Sequence, residues 1–210
     1  MSEEYYGQTI AKNWRVIFLF GVASAIVGVI ISLFFPLRYS SSMRLLIIQK
    51  QLSQADPYTA IKASESLADN LGQIIYTTSF FDMVMNAHFN IDKTVFDVDE
   101  IKKRRLWREM IETQVIRGTG MLSVTVYHED VDQATQIARA VAYVLTTQGS
   151  QYVGGGDLQV KLVDEPLQSK FPVRPNLPAN ALMGFVLGII AGSGFAILES
   201  RKKGLFSMPD

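Results

Sequence analysis

MLSVTVYHEDVDQATQIARAVAYVLTTQ, residues 121–148, changes its hydrophobic period halfway along. Up to Tyr127 the apolar residues alternate, with Leu122, Val124 and Val126 set against Ser123, Thr125 and Tyr127, the pattern of a strand with one face buried. From Val131 the apolar positions fall three and four apart, through Ala134, Ala138, Val141 and Leu145, the stripe of an amphipathic helix. Asp130 at the junction predicts an N-cap, and Gln133 three residues on predicts the second half of a capping box. A strand that runs straight into a helix able to cover it predicts an α+β domain.

Working outward, RYSSSMRLLIIQK at 38–50 and LQVKLVDEP at 158–166 predict two more strands, the second set off by the glycine break Gly154-Gly155-Gly156. Between the first strand and residue 121, three stretches predict helices: YTAIKASESLADNLGQII at 58–75 after the turn signal Asp56-Pro57, SFFDMVMNAH at 79–88, and DVDEIKKRRLWREMIETQ at 97–114. In the last of these the acids come first and the bases later, the order that complements a helix dipole. Residues 36–176 therefore form one α+β domain, long enough for a single core.

Both flanks of that domain are apolar. VIFLFGVASAIVGVIISLFF at 16–35 and PNLPANALMGFVLGIIAGSGFAIL at 175–198 carry no charge, and about 20 helical residues cover the roughly 30 Å hydrocarbon core of a bilayer. The second span is placed at 177–198, with Pro178 in the first turn, where a missing N–H costs nothing. Ala23-Ser24-Ala25 resembles a signal-peptide cleavage site, but a cut there would leave an apolar new N-terminus. The expectation is an α+β extracytoplasmic domain flanked by two transmembrane α-helices. Lys12 and Arg15 precede span one, and Arg201, Lys202 and Lys203 follow span two, so the N-terminus (1–15) and the tail (199–210) are both expected on the cytoplasmic side of a bacterial inner membrane.

Composition narrows the chemistry. Lys+Arg 20 balance Asp+Glu 20, which argues against nucleic acid as a partner. Cysteine is absent and His88 and His128 are the two imidazoles, which removes thiolate metal sites and most triads, so no cofactor is expected. Glu129, Asp130 and Asp132 beside His128 read as a helix cap before they read as an acid–base site. Glu109 and Glu112, placed on one face of the helix at 97–114, read as solvated carboxylates before they read as a glycosidase pair.

In layout the chain resembles the two-span polysaccharide co-polymerases, the Wzz-type chain-length determinants, and the related membrane half of bacterial tyrosine autokinases. The residues that carry the resemblance are the strand beginning Tyr39-Ser40 after span one, the junction VTVYHEDVDQATQIARAV, the run VKLVDEP followed by Pro172, Pro175 and Pro178, and GFVLGIIAGSG in span two. The resemblance implies a non-catalytic protein that forms homo-oligomers beside a polysaccharide polymerase and sets how many repeat units join a lipid-linked glycan, in O-antigen, capsule or exopolysaccharide synthesis. With about 20 helical residues before the glycine break the short, adaptor-like members are the nearer likeness, and the lack of a G-x-x-x-x-G-K-[ST] phosphate loop excludes the fused-kinase form. The alternative it leaves open is an adaptor for a separate cytoplasmic tyrosine kinase, contacted through Phe206 in the tail.

Three further groups stand out. Gly184, Gly188 and Gly192 recur every four residues and form a ridge that another helix can approach closely, with Gly21, Ala25 and Gly28 a matching surface on span one. Lys102, Arg105, Trp107 and Arg108 offer a glycan or subunit contact, bases toward acidic groups and the indole toward a sugar face, against the plainer reading of a solvated helix with Leu106, Trp107 and Met110 turned to the core. Pro172, Pro175 and Pro178 predict a stiff, extended and poorly hydrogen-bonded spacer leading into span two.

Overall fold

A computed structural model describes residues 10–49, 56–152 and 158–206. The chain divides into two compact units: the end segments Met1–Leu37 with Arg174–Asp210, and the central segment Arg38–Val173. The three glycines at 154–156 and the tail beyond 206 lie outside the described residues.

The central unit is built on a four-stranded antiparallel sheet of order β2-β3-β1-β4, with β1 Tyr39–Gln49, β2 Ile111–Ile116, β3 Met121–His128 and β4 Leu158–Gln168. β1 pairs with β3, Tyr39 opposite His128 and Leu45 opposite Leu122, and on its other side with β4, Ile47 opposite Val160. The expected alternation is met: Met43, Leu45 and Ile47 of β1 and Leu122, Val124 and Val126 of β3 are buried on one face. Helices cover that face. They are α2 Pro57–Ile74, α3 Thr78–Asn86, α4 Glu100–Met110 and α5 Val131–Tyr152. Leu71 of α2, Phe80 and Val84 of α3, and Ile137, Val141 and Leu145 of α5 close the core against the strands.

Local chemistry sets the helix starts. Asp56 caps α2, accepting from the Thr59 amide at 3.1 Å, and the Thr59 hydroxyl and amide hold its carboxyl below the ordinary range. Asp99 caps α4, accepting from the amides of Ile101 and Lys102. Asp130 caps α5 through the amides of Asp132 and Gln133. The capping box is only half formed, because the Gln133 side chain turns away to accept from the Asp92 amide at 2.8 Å and to donate to the Asn90 carbonyl. It pins the loop before α4 to the start of α5.

The helix expected over 97–114 is shorter than its charge pattern implied. It stops at Met110, and Ile111 enters β2 at φ −120°, ψ 138° with no intervening loop. Ile111, Thr113 and Val115 alternate with Glu112 and Gln114, and β-branched residues at this density favour a pleated strand. β2 then pairs along its length with β3, Ile111 opposite Val126 and Ile116 opposite Met121. Gly118 and Gly120 close this hairpin at φ 75° and 64°, backbone values that side chains disfavour. Glu112 is therefore a strand residue whose carboxylate accepts from the Tyr127 hydroxyl at 2.9 Å, and it shares no helix face with Glu109.

β4 runs two residues beyond the expected end at Pro166, which an edge strand tolerates because one side of its backbone carries no ladder. The two strands next in sequence to the apolar end segments, β1 and β4, are thus neighbours in the sheet.

In the other unit, α1 Trp14–Leu33 and α6 Leu177–Phe206 form an antiparallel hairpin. Both are long and apolar enough to cross a membrane.

Candidate functional site

The helix hairpin is held together by small residues. Along α6 the buried positions among the described residues are Gly184, Gly188, Gly192 and Ala196, a strict four-residue repeat. A β-carbon at Gly184 would lie 2.7 Å from the Ser24 carbonyl oxygen, one at Gly188 would lie 2.7 Å from the Gly21 Cα, and one at Gly192 would lie 2.9 Å from the Phe20 Cβ. From the other side, a β-carbon at Gly28 would lie 3.1 Å from the Asn180 carbonyl. The ridge read from the sequence is thus filled by α1 of the same chain, backbone against backbone.

Near one end of this seam sits a polar link. Asn180 Nδ2 donates to Ser32 Oγ at 2.7 Å, and Ser32 Oγ donates in turn to the Gly28 carbonyl at 2.8 Å. Away from the seam the hairpin is apolar and open: Leu19, Ile26, Ile30, Leu187, Ile190 and Leu198 are all exposed. At the start of α1, Trp14 is exposed and the Arg15 guanidinium lies 5.8 Å from its ring centroid.

The basic helix α4 divides by face. Lys102 pairs with Asp99 at 3.4 Å and Arg105 with Glu109 at 2.9 Å, both exposed, while the Glu100 carboxylate bonds Lys103 and raises its ammonium pKa. Arg108 lines a groove with Gln73, Tyr76 and Thr77. Trp107 does not face outward with these bases. It is 1% exposed, its Nε1 donates to the Ile75 carbonyl at 2.8 Å, and the Phe81 ring meets it edge-on at 5.1 Å. A sugar has no access to this indole, so the stacking alternative falls away for Trp107, and the plainer reading, with Trp107 and Met110 turned to the core, is the one the structure shows.

The proline segment is more firmly held than expected. The Ser169 amide donates to the Ser40 carbonyl and the Val173 amide to the Arg38 carbonyl, each at 2.8 Å, so the chain around Pro172 continues the pairing with β1. The Arg174–Pro175 peptide is cis, and Pro178 is the second residue of α6, as its place in the first turn required. Phe206 ends α6, and its side chain lies outside the described residues.

Around His128 the geometry is that of a helix start. The Asp130 amide donates to His128 Nδ1 at 2.9 Å, while the Asp130 carboxylate is engaged by the two α5 amides already described. Among the described residues no group of three His, Cys, Asp or Glu is placed to hold a metal ion.

Two grooves beside β4 escaped the sequence reading. One, of about 780 Å³, lies on the uncovered face of the sheet and is lined by Ser40, Ser42, Ser123 and Ser169 with Arg44 and Asp164, which pair at 3.4 Å. The other, of about 420 Å³, lies between α5 and β4 and is lined by Phe89, Arg139, Tyr143, Thr146, Leu162 and Glu165 among others. A signal for the second was present. Arg139 and Tyr143, four apart, fall off the apolar stripe of α5, so an aromatic ring was placed on its solvent side.

No family model matches this chain, and comparison with curated proteins finds no match.

Proposed function

We propose that this chain is a two-span protein of a bacterial inner membrane that controls polysaccharide chain length as a non-catalytic, oligomeric scaffold, with both termini cytoplasmic. The observation that carries the reading is the hairpin: two long apolar helices packed on each other through glycine, their large side chains turned outward, and joined in sequence to adjacent strands of one α+β sheet. A helix apolar on every side needs an apolar surround, and a bilayer supplies one. Trp14 with Arg15 at the start of α1 suits a membrane–water boundary, where tryptophan is enriched.

The layout of span, sheet, proline segment and glycine-studded span supports the polysaccharide co-polymerase reading, with a polymerase and a lipid-linked glycan as partners. Deleting the gene is expected to leave sugar synthesis intact while the product loses its preferred length. Gel profiles of surface or secreted polysaccharide from deletion and complemented strains test this. An unaltered length distribution in the deletion strain, with no redundant homologue present, would overturn it.

A further inference from the structure

The groove between α5 and β4 brings aromatic rings, a base, an acid and a hydroxyl to one place. Tyr143 is 49% exposed, and Phe89 packs against it edge-on, with ring centroids 6.0 Å apart. One side of the phenol ring is thereby fixed and the remainder stays open to the groove. Arg139 stands one turn before it and Thr146 one turn after it on α5, while Glu165 enters from β4. Thr146 Oγ1 donates to the Ala142 carbonyl at 2.8 Å, which leaves its lone pairs free to accept. Among the described residues neither Arg139 nor Glu165 forms an ion pair or a side-chain hydrogen bond.

The groove therefore presents a fixed aromatic ring, one uncommitted planar donor, one uncommitted planar acceptor and a hydroxyl, with no net charge. An ionic ligand would meet one group of its own sign. A pyranose suits all four, since it has an apolar C–H face for the ring and vicinal hydroxyls that both donate and accept. The larger groove on the open sheet face is the weaker case, because Arg44 is already engaged by Asp164 and no aromatic residue lines it.

We propose that the α5–β4 groove binds a segment of hexose chain, with Tyr143 stacked on a sugar ring and Arg139, Glu165 and Thr146 holding its hydroxyls. This rests on the reading of the protein as a polysaccharide co-polymerase and supplies the glycan contact that Trp107 cannot make. The probe is the set of short oligosaccharides released by mild acid from the wild-type strain's own polysaccharide. Titration calorimetry would use the full chain in lipid nanodiscs.

Tyr143→Ala and Glu165→Ala are each expected to weaken binding by about tenfold. Tyr143→Phe should keep the affinity, because the ring and not the hydroxyl carries the stacking, and Arg44→Ala on the other groove should leave it unchanged. Absence of binding by the wild-type chain, or unchanged affinity in Tyr143→Ala, overturns the proposal. An apolar peptide segment as the true occupant would show as the first result, and a sugar site elsewhere on the protein as the second. The deletion strain separates this from the broader reading: altered glycan length together with unchanged affinity in Tyr143→Ala removes the groove alone. Unaltered length together with lost affinity removes length control and leaves the groove standing.

Discussion

Replacing Trp107 with alanine is expected to destabilise the central unit by about 3–5 kcal/mol, the usual cost of removing a buried large aromatic side chain. Two losses add together here. The cavity opens where Phe81 and Phe96 pack on the indole, with ring centroids at 5.1 and 6.3 Å, and the Ile75 carbonyl loses its 2.8 Å partner next to the end of α2. Trp107→Phe keeps most of the ring and gives up the hydrogen bond, so it should cost less. Arg105→Ala, two residues away, removes only an exposed pair with Glu109 and should cost no more than about 1 kcal/mol. Urea unfolding of the full chain in detergent micelles, followed by protease susceptibility, measures all three. Equal stabilities for Trp107→Ala and Arg105→Ala would place the indole outside the core.

Gly188→Leu is expected to part the two apolar helices. A side chain at this position would meet the Gly21 Cα and the Ser24 Cβ, each closer than 3 Å from its first carbon, and overpacking of this kind costs about 1–3 kcal/mol. The reporter is a disulfide between Ser32→Cys and Asn180→Cys, whose side chains are linked at 2.7 Å in the native hairpin. Gly188→Leu should lower the cross-linking yield severalfold, whereas Gly194→Leu should not, since a β-carbon at Gly194 has no neighbour within 4 Å. A yield insensitive to Gly188→Leu would mean that the helices do not pack along this ridge.

What could be read in advance followed the strength of each local signal. The 121–148 stretch was legible because its period changes from two to about three and a half at one capping residue, and both halves keep their pattern in the fold. β2 was not legible in the same way. Acids at 97–100 and bases at 102–108 made a convincing helix, and the passage to strand at Ile111 has no glycine or proline to mark it. The mark came later, in the glycines Gly118 and Gly120, a turn signal that reads as a hairpin once the runs on both sides are taken as strands.

Among the interaction residues, the glycine ridge was evident from its spacing, but its occupant was not, because the same repeat serves a helix of this chain or of another. Trp107 shows the opposite case. Its position within a run of bases left a surface contact open, and the plainer reading is the one observed: Trp107 and Met110, three apart, mark the face of α4 that turns inward. The groove at Tyr143 joins α5 to a strand about twenty residues further along the chain, a juxtaposition that only the β1–β4 pairing creates.

Everything proposed for this protein requires that the helix hairpin carry the central unit to the outer side of a membrane while both chain ends stay within. The chain has no native cysteine, so single cysteines can report on it directly. Ser66 is exposed on α2, and Ser2 and Ser207 stand near the ends of the sequence. In intact cells treated with a membrane-impermeant maleimide, Ser66→Cys is expected to label fully, and Ser2→Cys and Ser207→Cys only after the membrane is permeabilised. Labelling of Ser207→Cys from outside, or protection of Ser66→Cys in intact cells, would contradict the account.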